Sequence, residues 1–151
     1  MDVRPISDAE VGDCARVYAA AYGRPPWNEA LDPGQICACI RRFIGRDGFC
    51  AWRAEAGGEI VGVALGVVVP YVGGAFLRLE DLCVAPDHQR SGVGGAFIRE
   101  IERLSQALGC DSMLLATQPD VPAHDFYLKQ GLRDIPTAYM FREYHPSEAT
   151  P

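Results

Sequence analysis

The segment LCVAPDHQRSGVGG, residues 82–95, is the most informative stretch of this chain. An apolar run ends at Val84, a polar loop follows, and three glycines stand where an amphipathic helix begins, at Gly92, Gly94 and Gly95. Glycine lets a ligand approach the backbone closely, and the first N–H groups of a helix have no acceptor within that helix. Because the positive end of the helix dipole lies there too, this pattern favours an anionic group such as a phosphate.

Two familiar phosphate-binding loops do not fit these residues. A Walker loop needs Gly-Lys-Ser/Thr, which is absent. The dinucleotide fingerprint needs a third glycine where Phe97 stands, and it needs the first strand of its domain before it. A glycine-rich turn with only a structural role stays open at this point.

The residues before this segment predict one strand, two helices and three further strands. Residues 3–6 are a short strand candidate, and Ser7 with Glu10 forms a capping-box signature at the start of a helix. After a loop with two consecutive prolines, Asp32 is expected to cap a second helix whose first position is Pro33. Apolar runs then predict three strands joined by tight turns, at residues 49–54, 59–69 and 76–84.

The residues after the segment predict alternating helices and strands. Apolar residues recur every three or four positions over residues 93–108, and Gly109 is expected to end that helix. A strand over 112–117, a short helix capped by Asp120 and a last strand over 138–144 follow. The predicted order is β-α-α-β-β-β-α-β-α-β, an α/β chain with a mixed α+β sheet and helices on both faces.

Length and composition indicate one soluble domain. A chain of 151 residues with 48% hydrophobic and 23% charged residues is one globular domain, here residues 1–146 with a frayed tail over 147–151. The net charge of −6 argues against a nucleic-acid partner and favours a cationic one. The sequence does not fix the oligomeric state, so a homodimer stays open.

Cysteine usage and the long uncharged stretch bear on location. The six cysteines show no zinc-ligand spacing, and no secretory signal precedes them, so no metal is expected and a reducing cytoplasm is predicted. The uncharged stretch from Ile60 to Leu77 is long enough to suggest a membrane span. Its glycines, valines and Pro70 instead predict a buried hairpin turning at residues 70–74, and no membrane partner is expected.

A second block, AHDFYLKQGL at residues 123–132, completes a recognisable pair of motifs. The first motif, Gln89-Arg90-x-Gly92-x-Gly94, and this second block resemble the signatures of the GNAT superfamily of N-acetyltransferases, over nearly the whole chain. Two positions depart from the family pattern, Asp120 where asparagine is usual and Leu132 where phenylalanine is usual.

The resemblance implies acetyl-CoA as co-substrate. The amides of residues 89–95 would then hold the pyrophosphate, and the backbone of residues 82–84 would pair with the pantetheine arm where two parallel strands splay apart. The expected cofactor-binding residues are Leu82, Cys83, Val84, Gln89, Arg90, Ser91, Gly92, Val93, Gly94, Gly95, Asp120 and Phe126.

The resemblance also implies catalytic roles. Tyr127 matches the position of the proton donor to the leaving thiolate, and Glu80 is the candidate base because it interrupts an apolar strand. Strand alternation places Asp81 on the opposite side of the sheet unless a bulge intervenes. Candidate acceptor contacts are Trp27, Asn28 and Glu29 in the loop between the first two helices, Tyr71 in the hairpin turn, and Asp81.

Together these inferences predict an N-acetyltransferase that moves an acetyl group from acetyl-CoA to a primary amine, in a ternary complex. A small cationic amine is favoured as substrate by the net charge of −6. A peptide N-terminus, an aminoglycoside, or a non-catalytic acyl-CoA-binding role on the same fold stay open.

Overall fold

A five-stranded sheet with helices on both faces forms the framework of the computed structural model, which describes residues 1–142. The strands follow each other in the sheet in chain order, and every neighbouring pair is antiparallel except the last, which is parallel. The elements are β1 Asp2–Pro5, α1 Val11–Tyr22, α2 Pro33–Arg41, β2 Phe49–Ala56, β3 Glu59–Tyr71, β4 Gly74–Val84, α3 Val93–Ala107, β5 Ser112–Leu115 and α4 Pro122–Lys129, with 3-10 turns at Asp8–Glu10 and Pro86–His88.

Two hydrophobic layers sandwich the sheet. On one face, α1 and α2 pack through Val11, Cys14 and Ile40 against Leu65 of β3. On the other, Phe97 and Ile101 of α3 pack against Leu77 and Leu79 of β4. Both faces of the central strands are therefore covered, as the predicted mixed sheet requires.

The predicted capping residues are confirmed at the first two helices. The Ser7 N–H donates to Glu10 Oε2 at 2.9 Å, which satisfies a donor at the helix start. Asp32 Oδ1 accepts from the Gln35 N–H at 2.8 Å, with Pro33 in the first position of α2.

The predicted hairpin over the long uncharged stretch is confirmed, with a tighter turn than expected. β3 continues through Pro70 to Tyr71, which pairs with Gly74, so only Val72 and Gly73 form the turn. Gly73 has φ 105°, a conformation that favours glycine. No helix within residues 1–142 combines the length and apolarity needed to cross a membrane.

Two local predictions were wrong. The cap of α4 is Val121 rather than Asp120, which instead adopts φ 63° in the preceding turn. The last strand is absent over residues 138–142, where Met140 and Phe141 are exposed; the apolar residues there run consecutively and lack the alternation of a half-buried strand. Residues 143–144 of that prediction, and the predicted tail 147–151, lie outside the described residues.

The register of β4 changes at Glu80. Leu79 faces Gly66 of β3, whereas Asp81 faces the adjacent Leu65, so Glu80 is the extra residue of a β-bulge. The bulge reverses the alternation of side chains along β4: Leu79 packs in the layer with α3, while Cys83, four residues later, packs in the layer with α1.

Candidate active site

A cleft lies where β4 and β5 separate. The two strands pair only from Phe76 with Ser112 to Leu79 with Leu115. Beyond that point residues 81–84 and residues 115–118 line a cleft of about 1050 Å³, confirming the predicted splay between the parallel strands. The β4 backbone in this region keeps its ladder with β3 but has no partner on its β5 side among the described residues.

One end of the cleft is formed by the start of α3. The first helical hydrogen bond runs from the Ala96 N–H to the Gly92 C=O at 3.0 Å, so the N–H groups of Gly94 and Gly95 have no acceptor within the helix. Arg90 and Gly92 adopt φ 57° and φ 87°, which turn the loop sharply into the helix. This geometry leaves N–H donors at the helix start, as the predicted anion site requires.

The loop is held against β4 by a side-chain hydrogen bond. Gln89 Nε2 donates to the Val84 C=O at 2.9 Å. Ser91 Oγ donates back to the His88 C=O at 2.6 Å and so serves the turn itself. The loop therefore has a fixed position relative to the end of β4.

Two glycines of α3 also allow close packing of α4. A Cβ atom on Gly94 would lie 3.3 Å from the ring of Phe126, and one on Gly95 would lie 2.9 Å from Gln130 Oε1. Any larger residue there would push α4 away or enter the cleft. This packing role adds to the anion-binding role predicted for the glycines.

Basic side chains gather at the same end. Arg90, Arg99 and Lys129 line the cleft beside the free amides of α3, and Arg99 Nη1 donates to Gln130 Oε1 at 3.4 Å. Neither Arg99 nor Lys129 was among the expected cofactor-binding residues, although Lys129 belongs to the second motif and Arg99 lies about one helical turn after Gly95. The charge of this end fits the phosphates of a nucleotide cofactor.

Acidic side chains form another part of the wall. Because of the bulge, Glu80 and Asp81 both line the cleft, although they are neighbours in a strand. Glu80 forms an ion pair with Arg78. Asp81 is half-buried, and its Oδ1 accepts hydrogen bonds from the hydroxyls of Tyr18 and Tyr22, each at 3.0 Å.

An aromatic group surrounds Asp81. The ring centroids of Tyr18 and Tyr22 lie 4.5 Å apart, and those of Tyr22 and Trp27 lie 6.1 Å apart. Tyr22 and Trp27 line the cleft. The sequence analysis assigned no site role to Tyr18 and Tyr22; the available signal was two phenols four residues apart, which need partners when buried.

Tyr127 of α4 lines the cleft, and its hydroxyl makes no hydrogen bond to another residue within 1–142. Burial, together with the nearby Asp81 carboxylate, raises the pKa of Tyr127 to about 12. The phenol is therefore protonated at neutral pH and has a proton to give. By contrast, Cys83 is buried and its thiol pKa is raised, so it is a poor nucleophile.

The structure places the predicted site residues in two groups, inside and outside the lining of the cleft. Those that line the cleft are Trp27, Glu80, Asp81, Leu82, Cys83, Val84, Gln89, Arg90, Gly92, Gly94, Gly95, Phe126 and Tyr127. Those placed outside its lining are Asn28, Glu29, Tyr71, Ser91, Val93 and Asp120.

The excluded positions have local explanations. Tyr71 lies at the tip of the β3–β4 hairpin, where its hydroxyl donates to Asp111. Asn28 and Glu29 are exposed in the loop after α1, and the Glu29 N–H donates to the Tyr22 C=O at 2.9 Å. Asp120 is exposed in the turn before α4.

A splayed parallel strand pair beside a glycine-rich helix start, with a phenol and carboxylates in the same cleft, fits a site for an anionic acyl donor. Residues 14–132 match the model of the Acetyltransferase (GNAT) family, and the chain belongs to that family. Acetyl-CoA is the acetyl donor of this family, and the free amides, basic side chains and open β4 edge described above fit it.

Curated relatives are N-acetyltransferases. The chain is 25% identical over 128 residues to N-acetyltransferase 8F1 of Mus musculus, covering 78% of this chain and 55% of that protein. It is 28% identical over 100 residues to N-acetyltransferase 8 of Homo sapiens, covering 62% of this chain and 44% of that protein. The chain thus spans about half the length of these curated relatives.

Solved structures with the same fold include aminoglycoside acetyltransferases. Aminoglycoside antibiotic 6'-N-acetyltransferase AAC(6')-IG from Acinetobacter haemolyticus has a TM-score of 0.78 at 18% identity, over 97% of this chain and 100% of that chain. Aminoglycoside N-acetyltransferase AAC(6')-Iy in complex with CoA has a TM-score of 0.78 at 18% identity, over 94% of this chain and 93% of that chain. At this identity the likeness establishes the fold.

Proposed function

We propose that the protein is an N-acetyltransferase that moves an acetyl group from acetyl-CoA to a primary amine on a small cationic acceptor. The observation that carries the proposal is a single cleft lined by a basic helix start, the phenol of Tyr127 and three carboxylates, those of Glu80, Asp81 and Asp125. This combination supports binding of an anionic donor and a cationic acceptor at once, as direct transfer in a ternary complex requires.

Acetyl-CoA, when bound, supplies the acetyl group as a thioester. The amides of Gly94 and Gly95, with Arg90, Arg99 and Lys129, are proposed to hold its phosphates. The free edge of β4 at residues 82–84 is proposed to bind the amide groups of the pantetheine arm as an added half-strand. The side chain of Phe126, packed against Gly94, closes the wall between these two regions.

Tyr127 is proposed to give its phenolic proton to the leaving sulfur. Its raised pKa of about 12 keeps the proton in place until the developing thiolate, a stronger base than water, can accept it. The half-buried site excludes much of the water that would otherwise compete for this hydrogen bond.

Glu80 is proposed to accept the proton that the amine must lose. A primary ammonium has no lone pair, so its nitrogen attacks the thioester carbon only after a base has removed one proton. The ion pair with Arg78 holds the Glu80 side chain at the rim of the cleft, where the proton can pass directly or through one water.

The acidic wall and the net charge of −6 support a cationic acceptor such as a polyamine or an aminoglycoside. The fold-related structures named above are acetyltransferases of aminoglycosides, which makes that class a specific second candidate. The reaction at the acceptor amine is the same for polyamines and for aminoglycosides.

The test is release of the CoA thiol from acetyl-CoA in the presence of spermidine, kanamycin, free amino acids or a peptide with a free N-terminus. Turnover with spermidine or kanamycin is expected, and the product should carry one added acetyl group by mass spectrometry. Turnover with the peptide alone would replace the small acceptor by a peptide N-terminus. Binding of acetyl-CoA without turnover of any amine would make the protein a non-catalytic acyl-CoA-binding domain.

A further inference from the structure

We propose that Asp81 anchors the ammonium group of the acceptor and that Tyr18, which lies behind the cleft wall, is the positioning residue that fixes the Asp81 carboxylate. This inference rests on the proposed function and names the acceptor-binding part of the same site. It assigns binding to Asp81 and leaves proton transfer to Glu80.

The hydrogen-bond pattern at Asp81 is one-sided. Both tyrosine hydroxyls donate to Oδ1, each at 3.0 Å. Within residues 1–142, no residue donates a hydrogen bond to Oδ2, and Asp81 itself is only half-buried. One oxygen is therefore fixed by the protein, and the other is free to accept from a ligand.

The negative charge of Asp81 lies in a half-buried position, which is unfavourable for a carboxylate. A half-buried carboxylate loses hydration, and this loss is tolerated where hydrogen bonds or a counter-ion replace the water. Burial and the Asp81 charge raise the pKa of Tyr18 and of Tyr22, so both phenols stay protonated donors at neutral pH. They supply two hydrogen bonds but no positive charge, which leaves the negative charge available to an incoming cation.

The neighbours of Asp81 describe the rest of the ligand. Tyr22, which donates to the carboxylate, lines the cleft together with Trp27, Pro25 and Pro26. Aromatic faces attract cations and cover alkyl groups. The predicted ligand is therefore a primary alkylammonium, whose charged head binds Asp81 Oδ2 and whose chain lies along these rings.

Tyr18 offers a clean test because it does not line the cleft. Replacing it by phenylalanine keeps the ring that packs on Tyr22 and removes only the hydroxyl that holds Asp81. A substitution that acts only on stability would change the melting temperature. It would not weaken binding of a cation more than binding of a neutral ligand of the same shape.

The experiment is an NMR titration of the CoA-bound protein with n-butylammonium, with 1-butanol as the neutral probe of the same size. Variants are Asp81→Asn, Tyr18→Phe, the double variant, and Asp111→Asn as a control. Asp111 also accepts a tyrosine hydroxyl, but it lies outside the cleft lining. The NMR spectrum of each variant reports its fold, and turnover with acetyl-CoA is measured separately.

We expect Asp81→Asn to weaken n-butylammonium binding about tenfold or more and Tyr18→Phe to weaken it about three- to tenfold, while 1-butanol binding and the Asp111→Asn control are unchanged. In the Asp81→Asn background, Tyr18→Phe should add no further loss. Equal n-butylammonium affinity in wild type and Asp81→Asn would overturn the anchor, and an equal loss from Tyr18→Phe in both backgrounds would overturn the positioning role. Absence of turnover with intact cation binding would refute the proposed function and leave this inference standing.

Discussion

Glu80 and Asp81 are consecutive residues of β4, yet both side chains line the same cleft, because Glu80 is the extra residue of a β-bulge. In a regular strand they would point to opposite faces of the sheet. The two carboxylates nevertheless have different surroundings. Glu80 is ion-paired with Arg78 at the exposed rim, whereas Asp81 is half-buried and hydrogen-bonded by two phenols.

Glu80→Gln should lower turnover while leaving the KM for acetyl-CoA near the wild-type value, because it removes the proposed proton acceptor and not a donor contact. The expected loss is about 10²-fold near pH 7, as for a general base. Raising the pH towards about 9 should partly restore turnover, since an amine of pKa about 10 then supplies more neutral nucleophile from solution.

Full pH–rate profiles of wild type and Glu80→Gln check this assignment. The matched control is Glu59→Gln, which removes the same charge from an exposed residue at the start of β3. Wild-type kinetics for Glu80→Gln from about pH 6 to about pH 9 would transfer the base role to Asp81 or to solvent.

Tyr127→Phe should reduce turnover about 10²-fold with little change in acetyl-CoA affinity. The ring that packs on Phe126, with centroids 5.1 Å apart, is kept, and only the proton-giving hydroxyl is lost. Turnover is measured by thiol release, and acetyl-CoA affinity by calorimetry. Unchanged turnover in a folded Tyr127→Phe protein would leave this residue a packing role only.

The helices and most strands could be predicted from local signals. Asp32 before Pro33 marks the start of α2, and Gly109 after a long amphipathic run marks the end of α3. Each signal lies within a few residues of the helix end that it predicts. The failed strand over residues 138–142 shows the limit of such signals, since a strand depends on the edge that it pairs with.

The loop proposed to hold the phosphates could also be predicted, because its glycines are close together in sequence. The surroundings of the proposed acceptor residue Asp81 could not. The contacts of Asp81 with Tyr18 and Tyr22 join residues 63 and 59 positions apart, and the bulge at Glu80 depends on its register with β3. Neither is visible in a local pattern, and the bulge reverses the side-chain alternation on which a prediction for Asp81 depends.

Gly94→Val should abolish acetyl-CoA binding. Its Cβ would lie 3.3 Å from the Phe126 ring, so the larger side chain must displace α4 or fill the space beside the free amides of α3. Gly12→Val in α1 is the matched control, since a Cβ there meets no atom within 4 Å and Gly12 does not line the cleft. Calorimetry with acetyl-CoA and thermal melting of both variants separate lost binding from lost folding. A folded Gly94→Val protein with wild-type affinity would exclude the loop as the phosphate site.

The ion pair between Glu10 and Arg53 makes the stability of the protein depend on pH. Hydrogen bonds from Ser7, together with the Arg53 guanidinium, hold the pKa of Glu10 below its usual value. Arg53 is 5% exposed and forms two ion pairs. Its Nε lies 2.5 Å from Glu10 Oε1, and its Nη1 lies 2.7 Å from Glu55 Oε2. Because the pKa of Glu10 is lower in the folded state, its contribution is present above the unfolded-state pKa and is lost as the pH falls through the folded-state pKa.

Glu10→Gln should therefore reduce the free energy of unfolding by about 1–3 kcal/mol near pH 7, since it leaves the buried guanidinium with one carboxylate instead of two. At a pH below this lowered pKa, where the wild-type carboxyl is neutral, the difference between the two proteins should shrink. Urea denaturation at both pH values measures this difference in the free energy of unfolding. The control is Glu59→Gln, because Glu59 is exposed and forms no ion pair with another residue within 1–142. A difference between wild type and Glu10→Gln that is the same at both pH values would contradict the ion-pair explanation and indicate a loss of packing instead.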